Sequence, residues 1–372
     1  MTPVIVDVDV AGHPYPVVLG PDYSGLGQAL AARSRPGRCV VVSNPVVAPL
    51  YLTPVVAELR TAGFEPVSVL IPDGEGAKNL ETWAKLVEEL LDAGVDRRTP
   101  VLALGGGVTG DLVGFAAATT LRGLPFVQLP TTLLAMVDAS VGGKTGLNTR
   151  QGKNLVGAFH QPILVWGALH ALQTLPAHAW RCGLGEIVKH ALIAGEPALV
   201  SLESQATTLA RGPGPEIGAL IAESIRTKAT IVAEDPLEQG RRAILNLGHT
   251  LAHAIERVAG PPERGGVAHG EAVVLGLVAV TRLARERGWL EAPELPDRLD
   301  VLLERLGLSR RATGAWEIDT LAAAAGFDKK RERGKVKLII PTAPGRVEIH
   351  EVPLGELRAL ARALPGVQTE AR

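Results

Sequence analysis

Residues 100–111, PVLALGGGVTGD, decide the fold of this chain. The first part, Pro100–Leu104, predicts a strand, and the residues after the loop predict an apolar helix. Between them lies a GxGxxG match at Gly105, Gly107 and Gly110. Glycines at such a turn let backbone N–H groups approach a pyrophosphate at the helix N-terminus. The segment therefore indicates an α/β domain, and a dinucleotide site is one interpretation of its loop.

The glycine loop has a second interpretation, because a tight strand-to-helix turn without a ligand has the same composition. A second polar turn favours the binding interpretation, since residues 73–78, DGEGAK, follow an earlier predicted strand. The acidic residue that binds the ribose about 20 residues further on in a standard Rossmann domain is missing here. We therefore expect a dinucleotide to be held differently from that in a standard Rossmann domain.

Strand and helix patterns alternate around this loop. Short apolar runs predict strands, and apolar residues at helical spacing predict helices. The predicted strands are Val4–Val10 and Pro16–Leu19, which form a hairpin, and Arg38–Ser43, Glu65–Ile71 and Phe126–Leu129. The predicted helices are Val55–Ala62 and Leu80–Ala93. This order predicts a Rossmann-like parallel sheet with helices on both faces.

The pattern changes after about Pro176, where Gly/Pro loops separate mostly helical segments. The predicted elements are the helices Ile217–Glu234, Gly270–Arg287 and Leu354–Leu364, and a hairpin of Val336–Ile340 with Val347–His350. We predict two domains, an α/β domain over residues 1–178 that binds the dinucleotide and a mainly α-helical domain over residues 179–372.

The composition excludes several functional classes. The net charge over 372 residues is −1, so no overall positive field would attract nucleic acid or anionic lipid. The two cysteines, Cys39 and Cys182, match no CxxC spacing, which favours a reducing compartment. The N-terminus lacks a signal-peptide pattern, and the longest apolar stretch, Ala272–Val280, is too short to cross a bilayer. We therefore expect a cytoplasmic protein without nucleic acid or membrane partners.

Four side chains in the second half have metal-binding chemistry: Glu186, His249, His253 and His269. Two histidines and one carboxylate leave a coordination position open, which is typical of a catalytic metal site. His249 and His253 are four residues apart on one face of a predicted helix, so their spacing makes both candidate ligands. A surface position is the alternative for any single histidine, but the set as a whole indicates a divalent metal.

Several basic residues lie among glycines and apolar residues instead of on a charged helix surface. Glycine-flanked cations commonly bind phosphate or carboxylate, because the backbone comes close and Arg or Lys supplies charge-assisted hydrogen bonds. These residues are Arg122, Lys144, Lys153, Lys189 and Arg242. A solvated loop position is the alternative for each one alone. Together they predict a small anionic substrate.

Segments in family order along nearly the whole chain resemble the 3-dehydroquinate synthase family. They are PDGEGAKNL (72–80), GGGVTGD (105–111), LPTTLLAMVDASVGGKTGLN (129–148), GKNLVGAFHQP (152–162), GLGEIVKHALI (183–193), RAILNLGHTLAHAIE (242–256), VAHGEAV (267–273) and GFDKK (326–330). This ordered set is far more specific than any single motif. The resemblance implies the dehydroquinate synthase-like fold, with an α/β NAD-binding domain and a mainly helical metal- and substrate-binding domain.

The resemblance also implies roles for individual residues. The implied ligands of one Zn²⁺ or Co²⁺ ion are Glu186, His249 and His269, whereas His253 resembles a residue that contacts the substrate phosphate. The implied NAD contacts are Asp73, Gly74, Glu75, Lys78, Gly107, Val108, Thr109, Gly110, Asp111, Thr131, Thr132, Lys144, Lys153, Ala171, Leu172, Gln173 and Thr174. The implied substrate contacts are Lys144, Asn154, Lys189, Lys228, Arg242, Asn246 and His253, and one of Lys329 and Lys330. Arg122 resembles a residue offered across a homodimer interface.

The implied activity is that of a carbon–oxygen lyase of the shikimate pathway, which serves aromatic amino acid biosynthesis. It would convert 3-deoxy-D-arabino-heptulosonate 7-phosphate, a sugar phosphate, to 3-dehydroquinate and phosphate. The implied steps are transient oxidation by NAD, phosphate elimination, reduction, ring opening and aldol cyclisation.

Three other functions are alternatives. A metal-dependent polyol or glycerol dehydrogenase would share the architecture, but that family usually has Asp where Glu186 stands. A cyclase of sedoheptulose 7-phosphate or glucose 6-phosphate would change the GGKTG segment, which is intact here as GGKTGLN (142–148). An inactive ligand-binding relative would have lost polar residues, and the polar set is complete.

Overall fold

A computed structural model describes residues 2–326 and 334–368. The strands are β1 (Val4–Val8), β2 (Tyr15–Gly20), β3 (Arg38–Ser43), β4 (Glu65–Leu70), β5 (Val101–Gly105), β6 (Phe126–Pro130), β7 (Lys144–Thr149), β8 (Gly152–Phe159), β9 (Leu164–Ala168), β10 (Lys335–Ala343) and β11 (Arg346–Pro353). The α-helices are α1 (Leu26–Ala31), α2 (Ala48–Thr61), α3 (Leu80–Asp92), α4 (Gly107–Thr119), α5 (Ala177–Ala194), α6 (Glu196–Leu209), α7 (Ile217–Glu234), α8 (His249–Ala259), α9 (His269–Glu286), α10 (Leu295–Leu306), α11 (Ile318–Gly326) and α12 (Glu356–Ala363).

The chain divides into two units. Unit 1 consists of Met1–Leu175 and Pro215–Leu237, and unit 2 of Pro176–Gly214 and Glu238–Arg372. Unit 1 contains a seven-stranded sheet in the order β1-β2-β9-β6-β5-β3-β4. β1 and β2 are antiparallel, as expected for the predicted hairpin, and the other neighbouring strands are parallel. The predicted parallel sheet is therefore confirmed.

Both faces of this sheet are buried. On β3, Val40 and Val42 belong to an apolar cluster with residues of α3 and α4. Successive side chains of a strand point to opposite faces, so Cys39 and Val41 lie on the other face, and both are fully buried. α2 contacts β3 and β4. Burial on both sides explains why β3 is a continuous apolar run in the sequence.

The amphipathic helix α7 belongs to unit 1, although the predicted domain boundary places it in the second domain, 179–372. It contacts β1 and the π-helical turn Ala135–Ala139. Apolar residues such as Ile221 and Ile225 are buried there. An amphipathic pattern predicts that a helix buries one face, but it does not identify the surface that covers that face. The contacts therefore divide the chain differently from the predicted ranges.

Two further differences concern local structure. β7 and β8 form an antiparallel hairpin that the sequence patterns do not predict, because its glycines disfavour a strand; Gly146 faces Gly157 across it. α2 begins at Ala48 and continues through Pro54, whereas the sequence predicts a start at Val55. Proline usually ends the helix pattern before it, which explains the late predicted start.

Unit 2 is mainly helical, as predicted. α9 contacts α5, α8, α10 and α12 and also β10, so it forms the centre of this unit. β10 and β11 form the predicted hairpin, and both strands are longer than predicted. Within residues 2–326 and 334–368, no helix combines the length and apolarity needed to cross a membrane. An N-terminal α/β part followed by a mainly helical part confirms the predicted fold class.

Candidate metal centre and nucleotide-binding segments

Three helices of unit 2 carry the predicted metal ligands. Glu186 lies within α5, whereas His249 and His269 are the first residues of α8 and α9. One ligand atom from each of these residues can be chosen so that all three atoms lie within 4.8 Å of one another. His269 Nε2 lies 3.3 Å from Glu186 Oε1, and His249 Nε2 lies 3.6 Å from the same oxygen.

Two glycines of α9 allow this close arrangement. A Cβ placed on Gly270 would lie 1.8 Å from the carbonyl oxygen of Cys182 in α5. A Cβ placed on Gly276 would lie 1.9 Å from the carbonyl oxygen of Gly248, which precedes α8. α9 therefore touches both other elements backbone to backbone, and any larger residue at these positions would separate the helices that hold the ligands.

The donor set fits a divalent transition metal. Glu186 is completely buried, and neither of its carboxylate oxygens makes a hydrogen bond of regular geometry within the described part of the chain. Its Oε2 is paired with the ammonium group of Lys189, whereas Oε1 faces the two imidazoles and is the oxygen available to a cation. Two imidazole nitrogens and one carboxylate oxygen are suitable ligands for Zn²⁺ and Co²⁺, and three protein ligands leave one position for substrate.

The surroundings of this group lower the pKa of His249 and raise the pKa of His269. Burial opposes ionisation of Glu186, but Lys189, one turn further along α5, and the two imidazoles hold the pKa of this carboxyl well below its usual range. Burial and the Lys189 charge lower the pKa of His249 to about 3. Burial favours a low pKa for His269 too, but Glu186 and Glu256 raise it to about 10. His249 is therefore neutral, the form that binds metal, whereas His269 would release a proton on metal binding.

The predicted substrate residues of unit 2 include two buried cations. Arg242 and Lys189 are each 1% exposed. Charged side chains are rarely so buried unless they are paired, and Lys189 forms an ion pair with the Glu186 carboxylate. The Asn246 side chain donates a hydrogen bond to Glu238 Oε1 over 2.7 Å. The exposed His253 has its ring centroid 5.4 Å from that of His249.

His253 lies beside the ligand group but not in it. Among the residues that the structure describes, the groups of potential metal ligands include Glu186, His249 and His269 but not His253. The four-residue spacing places His253 on the same face of α8 as His249, yet its side chain is exposed. Spacing alone therefore does not select the ligands.

In unit 1, the predicted strand–loop–helix arrangement of the glycine segment is confirmed. β5 ends at Gly105, and α4 begins at Gly107. The first N–H groups of a helix have no partner within it and carry partial positive charge. Val108, Thr109 and Gly110 complete this first turn. The N-terminus of α4 is therefore suited to a pyrophosphate.

The buried side chain of Lys78 joins three of the predicted binding segments. Its ammonium group contacts the carboxylate of Asp111 in α4 and the amide oxygen of Asn154 in β8. Its carbonyl oxygen accepts a hydrogen bond from the N–H of Asn148 over 2.8 Å. The Asn148 side chain donates to Glu75 over 2.7 Å. The polar turn 73–78, the start of α4 and the β7–β8 hairpin are thus brought together.

Two further predicted NAD segments follow neighbouring parallel strands. Thr131 and Thr132 follow β6, and the Thr131 N–H donates to the Gly105 carbonyl oxygen over 2.9 Å. Residues 171–174 belong to a 3₁₀ helix after β9, and the Tyr51 hydroxyl lies 2.5 Å from Thr174 Oγ1. Since β5, β6 and β9 are parallel neighbours, these segments lie at the carboxyl edge of the sheet, where α/β folds bind ligands.

Lys228 of α7 contacts a carboxylate that the sequence analysis missed. Its ammonium group lies 2.6 Å from Asp138 Oδ1 and 2.7 Å from the Asp138 carbonyl oxygen. Asp138 belongs to the π-helical turn Ala135–Ala139, and such turns are frequent at functional sites. It is the only acidic residue in the segment 129–148, which is a signal that could have identified it.

The other predicted cations of unit 1 are exposed. Lys144 begins β7, and Lys153 lies in β8. Arg122 follows Leu121 in a turn where both residues have left-handed backbone, with φ of 67° and 50° respectively. Such conformations cost roughly 1–3 kcal/mol each and are concentrated at functional sites. The predicted residues Lys329 and Lys330 lie outside the described residues.

Comparison with known proteins identifies the family of this chain. The sequence model of the 3-dehydroquinate synthase N-terminal domain matches residues 68–182, and that of the C-terminal domain matches residues 183–331. The chain belongs to the 3-dehydroquinate synthase family. The resemblance found in the ordered segments is thereby confirmed.

Individual relatives agree with this assignment. The 3-dehydroquinate synthase of Rhodospirillum rubrum is 45% identical over 349 residues, which are 92% of this chain and 90% of the relative. Among solved structures, 2-epi-5-epi-valiolone synthase from Streptomyces hygroscopicus, with NAD⁺ and Zn²⁺ bound, has a TM-score of 0.82 at 31% identity and covers 94% of this chain and 96% of its own. A 2-deoxy-scyllo-inosose synthase complexed with carbaglucose-6-phosphate, NAD⁺ and Co²⁺ has a TM-score of 0.85 at 24% identity, covers 96% of this chain and 99% of its own, and supports the fold alone.

Proposed function

We propose that this chain converts 3-deoxy-D-arabino-heptulosonate 7-phosphate to 3-dehydroquinate and phosphate, as a carbon–oxygen lyase that uses NAD and one divalent metal ion per subunit. The observation that supports it most is the group of Glu186, His249 and His269, whose ligand atoms lie within 4.8 Å of one another, in a chain that matches both domains of the family. The metal would be Zn²⁺ or Co²⁺, since the donor set suits both.

Glu186, His249 and His269 would hold the metal, and the segments around Lys78, the α4 N-terminus and residues 171–174 would hold NAD. When bound, the metal polarises a substrate hydroxyl and NAD accepts and returns a hydride. The N–H groups at the start of α4 would bind the NAD pyrophosphate, because the helix dipole favours negative charge there.

The cationic side chains would bind and orient the anionic substrate. Lys189 and Arg242 are almost completely buried, so their hydrogen bonds to phosphate or carboxylate would be strengthened by the low local dielectric constant. Further substrate contacts are proposed for Lys144, Asn154, Lys228, Asn246 and His253, and for one of Lys329 and Lys330. Orientation of a flexible substrate supplies much of the rate enhancement in such a reaction.

Phosphate release tests this proposal. The purified protein is given the heptulosonate substrate, with and without chelator, and with and without added NAD⁺ after removal of bound nucleotide. We expect stoichiometric phosphate and 3-dehydroquinate, loss of activity with chelator, and recovery with Zn²⁺ or Co²⁺. Net NADH formation from polyols without phosphate release would instead identify a dehydrogenase.

Turnover of two sugar phosphates is compared to identify the substrate. The intact GGKTGLN segment (142–148) favours the heptulosonate over sedoheptulose 7-phosphate. We expect turnover of the heptulosonate and no cyclisation of sedoheptulose 7-phosphate. Preference for sedoheptulose 7-phosphate would assign the chain to the cyclases of secondary metabolism.

We also propose that the protein is a homodimer, in which Arg122 acts across the interface. Its exposed position in a strained turn supports this role. Light scattering should give twice the mass of the chain. Mixing Arg122→Ala subunits with subunits that lack a metal ligand should restore part of the activity if Arg122 serves the neighbouring site; a monomeric active enzyme would contradict it.

A further inference from the structure

The His269 ring lies between two carboxylates. Its Nε2 is 3.3 Å from Glu186 Oε1, and its Nδ1 is 3.4 Å from Glu256 Oε2. The other predicted imidazole ligand is arranged in the same way, since His249 Nδ1 lies 3.1 Å from the Leu247 carbonyl oxygen. Both rings thus direct Nε2 towards Glu186 and Nδ1 towards a different acceptor.

We propose that Glu256 is a positioning residue for the metal centre, whose carboxylate accepts the Nδ1–H hydrogen bond of His269 and so presents Nε2 of this ring to the metal. This inference rests on the proposed metal-dependent function. A hydrogen bond at one ring nitrogen fixes the tautomer and the orientation of an imidazole ligand and makes the other nitrogen a better donor.

The position of Glu256 in the fold fits this role. It lies on α8 seven residues after His249, and therefore on the same face of the helix. Its side chain is only 9% exposed. A carboxylate so buried costs free energy unless it is hydrogen-bonded to a partner. α8 thus supplies one ligand, His249, and the acceptor for the second ligand, which comes from α9.

His269 needs such a partner more than His249 does. The His269 side chain is 30% exposed, whereas that of His249 is 10% exposed. Both residues begin a helix, so the difference between them lies in side-chain burial. Packing therefore restricts the His269 ring less than the His249 ring, and the hydrogen bond from Nδ1 adds a restraint on its orientation.

Metal affinity tests this role. Zn²⁺ and Co²⁺ dissociation constants are measured by chelator competition for the wild type, Glu256→Ala, Glu256→Gln and the control Glu271→Gln. Glu271 lies on α9 two residues after His269, and its side chain is 36% exposed beside Arg181. The variant Glu271→Gln therefore measures the effect of removing a nearby negative charge while the hydrogen bond to the His269 imidazole is kept.

We expect Glu256→Ala to weaken metal binding by roughly 10–100-fold and to change the visible spectrum of bound Co²⁺. Glu256→Gln should lose less, since its amide oxygen still accepts a hydrogen bond from Nδ1–H. Glu271→Gln should bind like the wild type. If Glu256→Ala does not fold, Glu256→Met, which keeps the bulk of the side chain without a strong acceptor, replaces it in the Co²⁺ spectrum and affinity measurements.

Three results would overturn the inference: wild-type affinity in a folded Glu256→Ala, wild-type affinity in Glu256→Met when the alanine variant is unfolded, or an equal loss in Glu271→Gln. A wild-type protein that binds neither ion would instead refute the metal-dependent function itself. The thermal midpoint of each metal-free variant distinguishes a change at the site from a general loss of stability.

Discussion

The predicted nucleotide-binding segments of unit 1 and the candidate metal centre of unit 2 are built in opposite ways. In unit 1, the glycine loop is one continuous piece of sequence between β5 and α4, and its backbone N–H groups would provide the proposed binding surface. In unit 2, Glu186, His249 and His269 come from three separate helices. A site built from backbone depends on local turn geometry, whereas one built from side chains depends on how closely the helices approach and on which charges are buried.

The largest effect is expected from removing a ligand. Replacing a residue that hydrogen-bonds a metal ligand weakens metal binding by up to roughly 100-fold. Glu186→Ala removes a ligand itself, so it should weaken metal binding by more than this, and activity should be lost. NAD affinity should remain, because no side chain of the glycine loop changes. Equilibrium dialysis with Co²⁺ and NAD⁺ measures both. An active variant free of metal would refute the assignment.

Lys78→Met tests whether side chains, as well as backbone, hold the predicted binding segments of unit 1 in place. Lys78 forms an ion pair with Asp111. Lys78→Met removes the cation that contacts Asp111 and Asn154 and leaves the partly buried Asp111 carboxylate without it. The free energy of unfolding should fall by about 1.5–3 kcal/mol, the range for a hydrogen bond to a charged group, because solvent reaches the Asp111 carboxylate. Chemical denaturation measures it.

Lys85→Met is the matched control, because Lys85 forms an exposed pair with Glu81 and exposed pairs contribute little. Equal unfolding midpoints for the two variants would show that Lys78 is not structurally important. The segments of unit 1 would then depend on backbone alone, in clear contrast to unit 2.

The contact between α5 and α9 should tolerate no added atom. Gly270→Ala places a Cβ against the Cys182 carbonyl oxygen, and since this is backbone, no side-chain rotation relieves the overlap. We expect a loss of roughly 1–3 kcal/mol in stability and about tenfold weaker Co²⁺ binding. Gly355→Ala is the control, because nothing lies within 4 Å of its Cβ. Unchanged Co²⁺ affinity in Gly270→Ala would show that the helix contact does not position the ligands.

The smallest effect is expected at Tyr51, whose side chain contacts the 3₁₀ helix that contains residues 171–174. Tyr51→Phe removes the hydroxyl that contacts Thr174, and the net value of such a hydrogen bond is about 0.5–1.5 kcal/mol. NAD⁺ affinity should fall by roughly twofold to twelvefold, with kcat unchanged. Tyr23→Phe is the control, since within residues 2–326 and 334–368 no hydrogen-bond partner of the buried Tyr23 hydroxyl is found. Equal NAD⁺ affinities in both variants would show that this segment is held by backbone alone.

The difference between the units also explains which features could be predicted. The strand, loop and helix around residues 100–111 are adjacent in sequence, so local patterns identify them. The membership of α7 in unit 1 could not be predicted, because an amphipathic helix does not specify its partner surface. The β7–β8 hairpin was missed for a related reason, since its glycines are unfavourable in a strand until the partner strand is in place.

The sequence by itself determined the order of the elements, the chemistry of the donor set and, through the ordered segments, the family. The ordered segments also implied the ligand set Glu186, His249 and His269, and the tertiary structure brings these three side chains together. Only the tertiary structure identified the partners of the site residues, Asp138 beside Lys228 and Glu256 beside His269. Residue types and helical spacing are local properties. The distance between ligands on different helices is set by the contacts of the whole unit, such as that between Gly270 and Cys182.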